Sequence, residues 1–344
     1  GSNFADIHGD AVNPVRLLEA ENRYDRTSDI WSTTSLELAN IVTGLKFTSR
    51  FTYNLKNNLY KNFSPIRDEV GKPSLTNNLD ETTYRADAWK TENTLTYDNT
   101  FNDMHTLGVL LSTTADHYSK RGLEVNGKDL SDESDYLQYL SYANSVSATD
   151  YLTGPDANVS LIARLAYSFN DRYFVTASWR RDYAGRLPKD NNYGDFPAVT
   201  AGWKISNESF FPKSETLNLL KIRASWGQLG NQNIGLYPYQ AMIAGVSNYP
   251  FDKKTETVGY QQKAYANRDI KWETTTITDV GFDLQVFNGL NVTFDWYKKV
   301  TSDILRKSQV SNILGLEAPT VNSGEVENKG FEIAFNYNNM ITCS

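Results

Sequence analysis

The sequence has almost no cysteine and little histidine. Its 344 residues contain one cysteine and three histidines. The cysteine, Cys343, is the penultimate residue, so no disulfide can form within the chain. His8, His105 and His117 are scattered without the spacing of a zinc site, and His117 is expected on the surface of a loop. The sequence therefore predicts neither a metal site nor a bound cofactor.

Long apolar runs and an excess of positive charge are also lacking. No segment approaches the roughly 18 consecutive apolar residues that a membrane-spanning helix needs, and the mean hydropathy is -0.52. This excludes a helical membrane protein but not a transmembrane β-barrel, because each barrel strand needs only about ten alternating residues. The net charge of -7 and the lack of a basic stripe argue against nucleic acid as a partner.

The motifs of common catalytic sites are missing as well. Gly227-Gln228-Leu229-Gly230 lacks the Gly-Lys-Ser/Thr ending of a phosphate-binding loop. No Gly-x-Ser-x-Gly nucleophile turn is present. Carboxylates are so abundant that some pair would reach glycosidase spacing by chance. The sequence therefore predicts no catalytic residue and a protein that is not an enzyme.

Alternation of apolar and polar side chains is the main positive signal, and it is clearest in residues 273–297. Val280, Phe282 and Leu284 occupy even positions, while Asp279 and Asp283 occupy odd ones. After the turn at 287–289 the apolar positions resume as Leu290, Val292, Phe294 and Trp296. Successive side chains of a strand point to opposite faces, so this segment is predicted to be a hairpin with one apolar and one charged face.

The alternation recurs about eleven times, which predicts about eleven strands. Further strands are expected at 45–55, 161–169, 173–179, 199–205, 220–226 and 331–337, and near 30–42, 87–100 and 104–114. The even face of 273–286 and the odd face of 161–179 are expected on one side of the same sheet. Short connections alternate with long ones at 57–86, 115–157, 183–195, 228–272 and 299–328. Tight turns at one end and long loops at the other are typical of outer-membrane barrels.

The charged residues of the predicted strands fall on the face opposite the aliphatic one. A lipid-facing Arg or Lys at mid-depth costs about 2–4 kcal/mol, whereas a water-filled lumen accepts the charge. The charges are Lys46, Arg50, Arg164, Arg180, Asp182, Lys204, Lys221, Arg223, Asp279, Asp283, Asp295 and Glu332. This pattern fits a barrel with a polar lumen, and it also fits a soluble sandwich whose charged faces meet water.

Tryptophan and tyrosine gather near the two ends of the predicted strands. Tyr167, Tyr173 and Trp203 lie near short turns, and Trp89, Trp179, Trp226 and Trp296 lie toward the other end. Two aromatic girdles at the membrane interfaces give this distribution. The predicted fold is therefore an all-β, antiparallel, up-and-down transmembrane β-barrel.

Four segments resemble the SusC/RagA group of TonB-dependent outer-membrane transporters. Residues 160–211 contain the Asn-Asp-Arg-Tyr turn, the Arg-Arg-Asp strand end and the Asn-Glu-Ser-Phe-Phe ending of that group. The other segments are LLKIRASWGQLGNQNIGLYPY at 219–239, IKWETTTITDVGFDLQVFNGLNVTFDWYKKVTSDIL at 270–305 and VNSGEVENKGFEIAFNY at 321–337. Where the group has Asp-Gly-Ser after the arginine pair, this chain has Asp182-Tyr183-Ala184-Gly185.

The resemblance implies a barrel of about 22 strands around a plug, in the outer membrane of a Gram-negative bacterium. It implies import of oligosaccharides or peptides, a SusD-like surface lipoprotein at the outer rim and energy coupling through TonB. Residues 1–344 are expected to form a single partial barrel domain of about 11 strands, half of the family number. This domain is expected to be incomplete at both ends, without a plug or a signal peptide.

Aromatic residues in the long 228–272 connection are the candidate substrate contacts. Tyr237, Tyr239, Tyr249, Phe251 and Tyr260 offer rings that stack on sugars or hold a peptide. The alternative is that these rings pack the loop on itself or against a partner protein.

A soluble all-β protein is the alternative class. It would be a carbohydrate-binding or adhesin-like module, or a β-rich glycoside hydrolase with a pair of catalytic carboxylates. In such a protein the apolar faces of the strands meet in one core. The two classes therefore differ in whether the apolar face is covered.

Overall fold

The computed structural model of the chain describes residues 22–67, 73–212, 216–250, 256–287, 289–311, 313 and 315–337. These residues are almost entirely strand and connecting loop. The strands are β1 Asn22–Ala39, β2 Leu45–Ser64, β3 Asn78–Phe101, β4 His105–Leu130, β5 Ala143–Phe169, β6 Tyr173–Ala184, β7 Tyr193–Lys204, β8 Leu217–Asn231, β9 Ile243–Pro250, β10 Glu256–Gln262, β11 Glu273–Val286, β12 Leu290–Ser302, β13 Leu305–Lys307, β14 Thr320–Asn322 and β15 Val326–Tyr337. Short 3-10 turns occupy Asp135–Leu137, Leu140–Tyr142 and Ile205–Asn207. Within the described ranges, no helix is long and apolar enough to cross a membrane.

Eleven of these strands form one sheet in chain order, β1 to β8 followed by β11, β12 and β15. From β5 onward each strand pairs antiparallel with the next one in the sheet. The predicted all-β, up-and-down arrangement of about eleven strands is therefore confirmed.

The register puts the aliphatic side chains of successive strands on one side of the sheet. Directly opposed residues of neighbouring strands share a face. One such row contains Tyr167, Val175, Ala201, Ala224, Val280, Trp296 and Phe331, each opposite the next. The predicted match between the even face of 273–286 and the odd face of 161–179 is confirmed.

This apolar side is exposed. The exposed fraction is 46% for Val175, 43% for Val280 and 71% for Phe331. In a soluble sandwich the same side chains would lie between two sheets. A wide exposed aliphatic face counts against the soluble alternative.

Two predicted loops are largely strand. β2 continues to Ser64 and β3 begins at Asn78, and β4 continues to Leu130 and β5 begins at Ala143. The prediction of long loops over 57–86 and 115–157 is therefore wrong for most of both ranges. These strand ends are mostly polar, so the backbone ladder continues after the hydrophobic alternation has stopped.

The prediction that His117 lies on a loop is also wrong. It lies within β4. Its ring stacks on Trp89 at a centroid distance of 5.9 Å.

The later long connections are confirmed as interruptions of the sheet, although they contain short strands. β9 pairs with β10 between β8 and β11, and β13 pairs with β14 between β12 and β15. The connection between β6 and β7 is confirmed as well.

The described residues fall into two compact units. The first consists of the described residues up to Thr34, with Phe51–Lys90 and His117–Pro155. Its buried cluster contains Phe63, Leu79 and Leu130, against which Leu140 and Ala143 pack. Asn77 is 1% exposed and closes this cluster by exchanging hydrogen bonds with the backbone of Leu130, at 3.0 and 2.6 Å.

The second unit consists of Ser35–Arg50, Thr91–Asp116 and the described residues from Asp156 onward. Its buried cluster contains Ala184, Leu187, Phe196, Ile270 and Trp272. The cluster lies at the end of β6 to β8 where the long connections leave the sheet. That 1–344 is one partial barrel domain stays a prediction.

Candidate functional site

Tyr237 and Tyr239 lie together in the segment that follows β8. Their rings are in edge contact, with centroids 6.2 Å apart. The carbonyl of Tyr237 accepts a hydrogen bond from the Gln240 amide at 2.9 Å, and the Pro238 carbonyl accepts one from the Asn267 amide at 3.2 Å. Both tyrosines are half-buried, and burial raises the pKa of the Tyr237 phenol above its ordinary value.

The buried cluster of the second unit packs against this segment. Tyr239 and Ile234 pack against the cluster. Within it, Phe196 meets Trp272 edge to face at a centroid distance of 5.5 Å. A Cβ on Gly230 would lie 2.0 Å from Phe196 Cζ, so the ring reaches its place only because position 230 has no side chain. The tyrosine pair is therefore held against the buried cluster through Tyr239.

An ion pair that was not predicted from the sequence connects this segment to β5 and to the loop that follows β6. Arg186 donates two parallel hydrogen bonds to the carboxylate of Asp156, one of them from Nε at 3.4 Å. Arg186 Nη1 also donates to the carbonyls of Ile234 at 2.9 Å and Gln232 at 3.4 Å. The side chains of Arg186 and Asp156 are each only 19% exposed.

A second polar chain joins the same segment to β5 and β4. Gln232 Nε2 donates to Asn158 Oδ1 at 3.1 Å, and Asn158 Nδ2 donates to Asp116 Oδ2 at 2.9 Å. For the ion pair, one signal is present in the sequence. The turn at 170–172 joins β5 to β6 in a register that places Asn158 opposite Ala184, and the same register brings the opposite charges of Asp156 and Arg186 together.

The other predicted substrate contacts are not gathered with this pair by the structure. Tyr249 lies in β9, opposite Thr257, and only its backbone is described. Phe251 lies outside the described residues. Tyr260 lies in β10 next to a bulge, and 76% of its surface is exposed. Tyr237 and Tyr239 are thus the candidates that the structure brings into contact.

The charged face of the sheet carries a cluster around Arg223. Its two terminal nitrogens lie 2.7 Å from the two carboxylate oxygens of Asp295. Nε lies 3.3 Å from Asp283, and Nη1 lies 3.7 Å from Asp279. The guanidinium of Arg223 thus forms ion pairs with three carboxylates. Among the described residues, no group of three His, Cys, Asp or Glu side chains is arranged to hold a metal ion.

The short-turn end carries an aromatic row, as predicted for Tyr167, Tyr173 and Trp203. Tyr173 stacks on Trp203 at a centroid distance of 6.3 Å. Tyr173 Oη and Trp203 Nε1 both donate to Glu208 Oε1, at 2.6 and 2.9 Å. Arg172 Nη1 donates to the other oxygen of Glu208 at 3.2 Å. These bonds hold the pKa of the Glu208 carboxyl below its ordinary value, with the Tyr173 hydroxyl as the largest cause.

Comparison with known proteins gives the family. Residues 2–342 match the family described as TonB dependent receptor-like, beta-barrel. The chain therefore belongs to the TonB-dependent receptor β-barrel family. It is similar to a TonB-dependent receptor of Formosa agariphila, with 31% identity over 94% of this chain and 30% of that protein. It is also similar to the TonB-dependent receptor SusC of Bacteroides thetaiotaomicron, with 32% identity over 68% of this chain and 23% of that protein.

Solved structures give the same fold. The RagAB peptide importer in its closed-closed state matches 94% of this chain and 35% of that chain, with a TM-score of 0.82 and 22% identity. The resemblance expected from the sequence is therefore confirmed at the level of family and fold. The chain spans about a third of the length of the curated relatives it matches, at 30% and 33% for the first two.

Proposed function

We propose that this chain forms part of the barrel wall of an outer-membrane importer of the TonB-dependent class. The main observation that supports this proposal is the exposed aliphatic face of the eleven-stranded sheet, with the Arg223 cluster on the opposite face. Lipid covers such a face at no cost, and a watery lumen accepts the charges. The protein is proposed to reside in the outer membrane of a Gram-negative bacterium and to have no enzymatic activity.

The proposed cargo is an oligosaccharide or a peptide. Similarity to proteins named SusC and RagAB peptide importer supports this range. The long connections at one end of the sheet would contribute walls and a lid around the cargo. Tyr237, Tyr239, Tyr249, Phe251 and Tyr260 remain the proposed cargo contacts, because aromatic rings stack on sugars and hold peptide side chains.

Two partners belong to this proposal. A SusD-like surface lipoprotein would cover the outer rim, and the TonB complex would supply energy from the inner membrane. The sequence resemblance and the family match support both.

The test uses the full-length protein that carries this chain, expressed from its own gene. Membrane fractionation locates the protein, and uptake is measured with fluorescent maltoheptaose and with labelled tryptic peptides of casein. We expect recovery in the outer membrane and uptake of one probe that is lost on gene deletion. Recovery of the intact protein in the soluble fraction would overturn the proposal.

A variant pair tests the proposed cargo contacts. Replacement of both Tyr237 and Tyr239 by alanine is expected to reduce uptake about tenfold, since two aromatic contacts are lost. Tyr136→Ala is the matched control, because Tyr136 is an exposed loop tyrosine (72%) of the other unit. Equal uptake by the double variant and the control would remove the tyrosine pair from the binding site.

A further inference from the structure

Tyr237 has a backbone conformation that a tyrosine rarely adopts. Its φ is 51°, in the left-handed region, where Cβ crowds the following carbonyl. The next residue is Pro238, and a residue before proline is driven toward extended conformations. Both effects disfavour this conformation, so the surrounding structure must hold it in place.

Arg186 holds the backbone that leads into Tyr237. Nη1 of Arg186 binds the carbonyls of Gln232 and Ile234, just before Tyr237. The rest of the guanidinium is fixed by Asp156. Ala184 and Leu187, which lie two residues before and one residue after Arg186, are 1% and 2% exposed within the buried cluster that also packs against Tyr239.

We propose that the Asp156–Arg186 pair positions the Tyr237–Tyr239 pair for cargo, with Arg186 as a positioning residue of the importer. This inference rests on the proposed function. Strained backbone at a surface loop is retained where a fixed geometry serves binding. The ion pair supplies that geometry before cargo arrives, so binding does not have to order the loop.

The chemistry of the anchor requires arginine. The planar guanidinium of Arg186 binds the Asp156 carboxylate along one edge, and its Nη1 donates to two backbone carbonyls. Lysine carries a single ammonium on a flexible stem and cannot make both sets of bonds in fixed geometry. Arg186→Lys therefore keeps the charge while releasing the tyrosine segment.

Hydrogen exchange of the full-length protein in detergent tests the anchor. In Arg186→Lys, peptides covering 232–241 are expected to exchange about tenfold faster, while peptides of β8 and β11 are unchanged. The matched control is Arg172→Lys, which weakens a comparable ion pair with Glu208 at 3.2 Å, at the short-turn end. If Arg186→Lys does not reach the membrane, Asp156→Asn is used in its place. Unchanged exchange over 232–241 would overturn the proposal.

Uptake kinetics test the link to cargo, with the maltoheptaose and casein-peptide probes and with rates normalised to surface abundance. We expect Arg186→Lys to raise KM about tenfold with little change in the maximal rate. Adding Tyr237→Leu to Arg186→Lys is expected to raise KM no further, because both changes act through the same contact between Tyr237 and the cargo. Additive effects, or an unchanged KM in a variant with accelerated exchange, would overturn the positioning role. Uptake of neither probe by the wild type would contradict the proposed cargo, and the exchange result would still decide the anchor.

Discussion

At the scale of single residues, Gly281 lets a carboxylate reach across a strand pair. A Cβ at this position would lie 2.2 Å from Asp295 Oδ1 and 2.5 Å from the Phe294 carbonyl. Gly281 is directly opposite both Arg223 and Asp295. The Asp295 carboxylate therefore occupies the space that a side chain at 281 would fill, and it binds Arg223 there.

Gly281→Ala is expected to destabilise the protein by about 1–3 kcal/mol, because the added methyl group would clash with the Asp295 carboxylate and with the Phe294 backbone carbonyl. Gly235→Ala is the matched control, since nothing lies within 4 Å of a Cβ built there. Thermal unfolding of the full-length protein in detergent measures both. Similar melting temperatures for the two variants would mean that the Asp295 carboxylate can move aside freely.

The lowered pKa of Glu208 predicts that the stability of the short-turn end depends on pH. Its folded-state pKa is lowered, chiefly by the Tyr173 hydroxyl and then by the Trp203 indole. A carboxyl whose folded pKa lies below its unfolded pKa stabilises the fold above the unfolded value of about 4.3. That contribution is lost as the pH falls through the folded pKa.

Glu208→Gln is therefore expected to reduce the melting temperature at neutral pH and to flatten the decline of stability at acid pH. Melting temperatures of the full-length protein between about pH 3 and pH 7 measure this. Glu124→Gln, an exposed position of β4, is the control. An acid decline of equal slope in wild type and Glu208→Gln would contradict the role of these hydrogen bonds.

At the scale of strands, adjacent positions of one strand pair meet opposite environments. Val280 lies on the exposed aliphatic face between Ala224 and Trp296. Ser225, one residue after Ala224, lies on the charged face opposite Asp279. The same new charge should therefore have different consequences at 280 and at 225.

Val280→Lys is expected to destabilise the membrane-inserted protein by about 2–4 kcal/mol, because an ammonium would face lipid. Ser225→Lys is the matched control and is expected to have little effect beside the Asp279 carboxylate. Heat-modifiability on gels and the yield of protein in the outer membrane measure both variants. Equal losses would mean that the two faces do not differ in solvent.

Strands are predictable from this sequence where one face is apolar. β11 and β12 alternate over most of their length, and their register follows from the turn that joins them. The last part of β4 and the first part of β5 are mostly polar, so nothing in their pattern distinguishes strand from loop. The bonds from Arg186 to the carbonyls of Gln232 and Ile234 are unpredictable for a different reason, since these carbonyls lie 46 and 48 residues away. Such a return of the chain is set by tertiary packing and not by local pattern.

At the scale of the whole molecule, the eleven-stranded sheet has one outer strand on each side within the residues that the structure describes. β1 and β15 are the outermost strands, and nearly every residue of both is exposed. Phe331, Phe335 and Tyr337 are 71%, 70% and 62% exposed. An edge strand of this length offers a row of backbone donors and acceptors to any other chain.

Residues 1–344 purified alone are therefore expected to aggregate in water. Open edges template pairing between copies, and an aliphatic face larger than a few hundred Å² associates with itself. Detergent should disperse the protein by covering that face, although the edges would remain open to pairing. Light scattering and thermal melting, each with and without detergent, measure this. A monodisperse monomer that melts cooperatively in plain buffer would mean that the aliphatic face is buried within the chain, and the soluble all-β class would then replace the barrel wall.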